Sequence, residues 1–269
     1  MKIIYLGDVV GKSGRNAVHD NLDKLSRLFS PDFVIINGEN SAHGFGITGK
    51  ICRDFFEAGI DVITLGNHSW DQPDTAQYIG SEPRLLRPLN FPENTPGMGK
   101  GIFSTKKGEK ILVVQVMGQL FMPPVEDLFP SLELALKSVV LGNHISAIVV
   151  DVHAEASSEK MAVGHFLDGR VSLVIGSHTH VPTADGQILP GGTAYQTDAG
   201  MCGDYNSIIG MKIDSALKRF TNKKSKPPLQ PADGEGTICG VFLETDDKTG
   251  KAIKLCPIKL GGRLQLLTN

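Results

Sequence analysis

The stretch Val171-Ser172-Leu173-Val174-Ile175-Gly176-Ser177-His178-Thr179-His180 runs from an apolar, strand-like segment straight into two imidazoles. Five further segments follow the same plan. Ile3-Ile4-Tyr5-Leu6-Gly7 ends in Asp8, Phe33-Val34-Ile35-Ile36-Asn37-Gly38 in Glu39-Asn40, and Asp61-Val62-Ile63-Thr64-Leu65-Gly66 in Asn67-His68. Ala147-Ile148-Val149-Val150-Asp151-Val152 ends in His153, and Thr193-Ala194-Tyr195-Gln196-Thr197 in Asp198. Buried strands carry side chains from distant positions to one edge of a sheet, and in open α/β sheets ligands bind at that edge. Carboxylates, amides and imidazoles gathered there suit a metal cluster better than a packed core, because buried polar groups need partners.

Between these strands the spacing of apolar residues predicts helices. One covers residues 13–29 through Val18, Leu22, Leu25 and Leu28, with Ser13 as its cap. A second passes through Ile51, Phe55 and Ala58 to Gly59, and a third runs from Asp71 toward Ile79. A fourth includes Leu132, Leu136 and Val140, and a fifth covers residues 157–168. Residues 111–116 read as one more strand. This βαβα rhythm predicts α/β layering with helices on both sides of sheet. Residues 237–245 and 252–260 read as consecutive strands joined by Asp246-Asp247-Lys248-Thr249-Gly250, so a second, more antiparallel sheet is expected late in the chain. The basic, proline-rich segment at residues 222–231 reads as a solvated connection inside one domain spanning residues 1–269.

With 269 residues, 41% hydrophobic and 21% charged, the chain can build a substantial core of ordinary globular type. A formal net charge of −2 gives no general nucleic-acid footprint. The first apolar run is too short for a secretory leader and is broken by Asp8. No stretch approaches the roughly 18 apolar residues of a membrane span. Cys52, Cys202, Cys239 and Cys256 form no paired motif and read as free thiols. A cytoplasmic location is the default expectation.

The chemistry-bearing motifs are Gly7-Asp8, Gly38-Glu39-Asn40, Gly66-Asn67-His68, the lone His153, and Gly176-Ser177-His178-Thr179-His180. Each glycine sits where a strand ends, where the backbone must turn and let an ion approach. His-x-His puts alternate side chains on one side of an extended segment. In this order the motifs resemble the calcineurin-like metallophosphoesterase superfamily. Two departures are informative: Val10 stands where most members have a histidine, and the bridging motif is Gly38-Glu39-Asn40 instead of Gly-Asp. Both resemble the YmdB-like phosphodiesterase subfamily, in which the asparagine supplies a replacement ligand. Ser41-Ala42-His43-Gly44, Arg87-Pro88-Leu89-Asn90-Phe91-Pro92 and His153-Ala154-Glu155-Ala156 are similar to it as well.

The resemblance implies a four-layer α-β-β-α sandwich of two mixed sheets flanked by helices. It implies two metal ions, one held by Asp8, Asn40 and His180, the other by Asn67, His153 and His178, with Glu39 bridging. Oxygen and nitrogen ligands without thiolate fit iron, manganese or zinc, and the subfamily favours iron or manganese. Asp8 and Glu39 supply the two negative charges of the ligand set, so two divalent ions leave an excess of about two positive charges to attract a phosphate. The implied reaction is in-line attack by a metal-bridging hydroxide, with His68 protonating the leaving alkoxide and Asp71 placed to orient His68. The implied substrate is a small phosphorylated molecule, a 2′,3′- or 3′,5′-cyclic nucleotide, with His43, Arg87 and Asn90 as substrate-binding candidates. Arg87 fits either a phosphate clamp or a loop pin. The alternatives are a phosphomonoesterase and a metal-stabilised regulatory binding protein with little turnover. Self-association is compatible with the chain, though no residue pattern specifies an interface.

Overall fold

The computed structural model describes residues 1–222 and 227–264. In chain order its strands are β1 (Lys2–Leu6), β2 (Asp8–Val9), β3 (Phe33–Asn37), β4 (Val62–Thr64), β5 (Leu85–Leu86), β6 (Lys100–Ser104), β7 (Lys110–Met117), β8 (Ala147–His153), β9 (Leu173–Ser177), β10 (Gln187–Ile188), β11 (Ala194–Gln196), β12 (Met201–Cys202), β13 (Ile238–Thr245) and β14 (Ala252–Leu260). The helices are α1 (Gly11–Phe29), α2 (Gly49–Glu57), α3 (Thr75–Ile79), α4 (Leu128–Leu136), α5 (Ser157–Phe166) and α6 (Ile213–Thr221). Two six-stranded sheets form, in the orders β14-β13-β1-β3-β4-β5 and β10-β11-β9-β8-β7-β6, beside a small β12-β2 pair. Each has a parallel centre, β1-β3-β4-β5 in one and β7-β8-β9-β11 in the other. Antiparallel strands close one edge of the first sheet, β13 and β14, and both edges of the second, β6 and β10.

Period-2 alternation along each strand divides the core. On β1, Ile4 and Leu6 pack on Val18, Leu22 and Leu25 of α1 and Phe55 of α2. Ile3 and Tyr5 face the second sheet, against Val113, Val149 and Ile175. On β8, Ile148, Val150 and Val152 lie under Leu132 and Leu136 of α4 and Val163 of α5. The result is the expected α-β-β-α sandwich. Burial on both faces explains why these strands read as continuous apolar runs.

Several expectations need correction. The late strands do not make a separate sheet. β13 pairs antiparallel with β1, Ile3 opposite Leu243, and β14 pairs with β13, so both extend the first sheet. β1 would otherwise present an unpaired backbone edge, and β13 offers apolar residues to both faces, Phe242 outward and Val241 and Leu243 inward. Ser13 is not a cap: α1 begins after Val10 with no side-chain cap, and Ser13 Oγ donates to the Gly234 carbonyl at 2.8 Å. Only Thr75–Ile79 of the third expected helix is helical, and the residues before it make turns. The expected connection at residues 222–231 falls partly outside the described residues. The four cysteines are free, as expected. Among the described residues no helix is long and apolar enough to cross a membrane.

Candidate metal centre

The carboxyl ends of both parallel centres meet at one edge, and the six motif segments deliver their polar residues there. Asp8 follows β1, Glu39 and Asn40 follow β3, Asn67 and His68 follow β4, His153 closes β8, and His178 and His180 follow β9. His153 Nε2 lies 2.9 Å from Glu39 Oε1, 3.0 Å from Asn67 Oδ1 and 3.2 Å from His178 Nδ1. His180 Nε2 lies 3.9 Å and His153 Nδ1 4.0 Å from Asp8 Oδ1. Adjacent ligands about 2.1 Å from an octahedral ion stand about 3 Å apart, so the donors around His153 are already spaced as a coordination shell. Gly66 is required by this crowding: a Cβ there would overlap Glu39 Oε2 and His153 Nε2.

The donors fit a cation by a second criterion. Glu39 Oε1 and Asn40 Oδ1 are buried acceptors without a hydrogen-bond partner among the described residues. Glu39 Oε1 is near the His153 ring nitrogen, but the contact lacks hydrogen-bond geometry. Asn40 Nδ2 donates to the Gly44 carbonyl at 3.0 Å, which leaves its amide oxygen free on the other side. A buried acceptor left unpaired costs about 1–3 kcal/mol, and a metal ion is the partner this donor set suits.

The imidazoles are oriented from outside. His153 Nδ1 meets Ser177 Oγ at 2.9 Å, and Ser177 Oγ donates to Asp151 Oδ1 at 2.7 Å. That relay makes Nδ1 the protonated nitrogen and frees Nε2 for a ligand. His180 Nδ1 donates to the Ile209 carbonyl at 2.8 Å, and Glu155 Oε2 lies 3.2 Å from His178 Nε2. Asp151 also accepts from Thr64 Oγ1 at 2.6 Å and Gln115 Nε2 at 3.1 Å, which ties the layer beneath the site together.

Electrostatics without an ion follow the same pattern. Burial opposes ionisation of Glu39, but attraction to His153 and His68 holds its carboxyl down at about 2. Burial likewise opposes charge on His153, yet Glu39, Asp8 and Asp151 raise it to about 9. Burial pushes Asp8 up to about 6, against the pull of His180 and His153. Burial and the neighbouring His153 push His178 down to about 3. Without an ion, the pull of Glu39, Asp8 and Asp151 thus favours the protonated form of His153, at the place where a cation would balance the carboxylates.

His68 stands apart from the ligand group. Its N–H donates to Glu39 Oε2 at 3.0 Å, its Nδ1 meets Asp71 Oδ2 at 2.7 Å, and Phe45 packs edge-on at 5.0 Å between ring centroids. The Asp71 contact anticipated in the sequence is present. The three substrate candidates fare differently. The Arg87 guanidinium is committed to the carbonyls of Pro88, Leu89, Thr95 and Pro96, so of its two expected roles the structure displays the loop pin. Asn90 is buried and exchanges hydrogen bonds with Met117 and the Glu126 carbonyl, which commits both of its amide N–H donors to the backbone. His43 is exposed, with a left-handed φ of 54°, in the loop that holds Asn40. Sequence reading missed Ser177 and Asp151 as orienting groups; the signal was a lone carboxylate inside the apolar run of β8.

The family model described as YmdB-like protein matches residues 4–258. The chain belongs to the YmdB-like family. It is 45% identical over 258 residues to the 2′,3′-cyclic-nucleotide 2′-phosphodiesterase of Bacillus subtilis (strain 168), a match covering 95% of each. Among solved structures, a hypothetical protein from Thermus thermophilus superimposes with a TM-score of 0.90 at 40% identity, covering 98% of this chain and 100% of that one. A phosphatase from Mycoplasma pneumoniae superimposes with a TM-score of 0.89 at 36% identity, covering 97% and 93%. Fold and family therefore extend over nearly the whole chain.

Proposed function

We propose that this YmdB-like chain is a metal-dependent phosphodiesterase that hydrolyses small cyclic nucleotides, as a single domain in the cytoplasm. The observation that carries the reading is the cluster of Glu39, His153 and His178, with Asn67 and Asp8 against His153, His180 against Asp8, and buried oxygens of Glu39 and Asn40 left without a hydrogen-bond partner among the described residues. The Bacillus subtilis relative names the substrate class, a 2′,3′-cyclic nucleotide. Asp8, Asn40 and His180 would hold one ion and Asn67, His153 and His178 another, with Glu39 shared. Iron or manganese suits these donors, and zinc is compatible. Bound there, divalent ions supply Lewis-acid stabilisation of phosphoryl oxygens and a water of lowered pKa.

The chain's own residues do the rest. With only Asp8 and Glu39 charged among the ligands, the loaded pocket keeps a positive excess that draws in a phosphodiester anion. Asp71 fixes the His68 ring through Nδ1, so that Nε2 delivers a proton to the departing alkoxide. Phe45 restrains the ring from the other side. A pure binding site has little need of this unliganded imidazole, which disfavours a role without turnover.

Turnover of 2′,3′-cyclic AMP, 3′,5′-cyclic AMP and p-nitrophenyl phosphate by iron- and manganese-loaded protein tests the assignment. Cyclic diesters should be turned over faster than the monoester. A preference for the monoester would replace this reading by a phosphomonoesterase, the activity carried in the name of the Mycoplasma pneumoniae structure.

A further inference from the structure

We propose that the buried Lys160–Asp198 ion pair is the positioning device of the two-histidine turn, acting on the metal centre through Thr179. The inference rests on reading the histidine cluster as a metal centre. His178 and His180 have φ of 92° and 65°. Non-glycine residues enter that region only at a cost in backbone strain and stay there only when their surroundings over-determine them.

The turn is over-determined from behind. Asp198 Oδ2 accepts from the Thr179 N–H at 3.2 Å and from Thr179 Oγ1 at 2.7 Å, while Oδ1 accepts from the Gly200 N–H at 2.8 Å. Lys160 Nζ balances the charge at 2.7 Å, and neither side chain is more than 1% exposed. Lys160 comes from α5 in the outer helix layer and Asp198 from the loop after β11, so the pair joins that layer to the sheet edge. Space for the lysine stem depends on Gly176, where a Cβ would overlap the Thr197 carbonyl and stand 2.8 Å from Lys160 Cδ. Gly176 thus makes room for this pair, beyond allowing the strand to turn. Thr179 is the single residue between His178 and His180, so a shift of its backbone re-aims both imidazoles. A buried ion pair is a poor source of stability compared with packed apolar residues, which is consistent with a role in holding one conformation.

The test uses Thr179→Val, which keeps the branched shape and removes one hydroxyl, and Asp198→Asn, which keeps the volume and removes the charge. Mn²⁺ titration followed by electron paramagnetic resonance reads affinity and the coupling between ions, and thermal unfolding of metal-free protein reads the fold. Each variant should bind Mn²⁺ about 10–100-fold more weakly and lose the coupled two-ion signal, with Thr179→Val unfolding close to the wild-type temperature. Wild-type affinity and spectrum in both variants, with only a lowered unfolding temperature, would overturn the inference alone. Should Asp198→Asn fail to fold, Thr179→Val decides by the same criteria. Wild-type protein that takes up no Mn²⁺ would overturn the metal-centre reading and this inference with it.

Discussion

Asp8 and His68 both border Glu39, and their partners assign them different work. Asp8 is buried with His180 and His153 around it, whereas His68 is half-buried and tied to Asp71. Asp8→Ala should therefore abolish metal uptake, while His68→Ala should retain metal and lose about 10²–10⁴ in turnover. Metal content and rate on both variants check this, and equal metal loss in the two would refute separate roles. The residue scale also sets a pH dependence. In the metal-free chain His153 keeps its proton to about pH 9, against 6.5 ordinarily, and Asp8 to about 6, against 3.8. At these two groups the folded state binds more protons than the unfolded one, so they make stability fall as pH rises. The His153 contribution is fully present below pH 6.5 and is lost as pH passes through about 9. Metal-free protein should melt at progressively lower temperature between those limits. Metal binding expels the same proton and should tighten over that window with proton release. Unfolding scans across pH with and without Mn²⁺, and calorimetry in buffers of different ionisation heat, measure both.

At the scale of elements, the strand ends and the loops behind them divide the labour. The proposed ligands sit at strand ends, where the backbone ladders fix them, and the segment around Arg87 and Asn90 braces the neighbouring loops. Asn90→Ala should cost about 1–3 kcal/mol of stability by leaving Met117 and Glu126 backbone groups unpaired, with metal affinity per folded molecule unchanged. Denaturant midpoints and Mn²⁺ titration separate the two, and lost affinity at wild-type stability would return Asn90 to the site. The strands that place the proposed ligands were legible because two buried faces leave unbroken apolar runs, each ending in a side chain out of keeping with a core. Ser177, Asp151 and Lys160 were not legible as a support system, because hydrogen bonds between residues far apart in the chain leave no periodic trace. Arg87 and Asn90 were open to two readings for a related reason: a polar residue in a loop has the same sequence signature whether it meets substrate or backbone carbonyls.

The whole molecule is two parallel-centred sheets face to face, with their carboxyl ends opening on one site. The sequence reads the last strands as a separate sheet because strand pairing with β1, some 240 residues away, is a tertiary choice that local turn chemistry does not reveal. Their true place makes them structural partners of the site: β13 covers the edge of β1, the strand that leads into Asp8. A chain ending at residue 235 would expose that edge and the apolar faces beside it. It should fail to give a soluble, cooperatively unfolding protein; a soluble, metal-binding fragment would show that the first sheet is complete without them. Above this lies the claim that distant strand ends hold a pair of cations in one pocket. Anomalous diffraction from crystals of the metal-loaded protein, with elemental analysis of the same sample, tests it most directly. Two ions should appear about 3.5–4 Å apart, Glu39 between them, with Asp8, Asn40 and His180 on one and Asn67, His153 and His178 on the other. Saturating metal with no ion at Glu39, or with a single ion and His180 turned away, would contradict it.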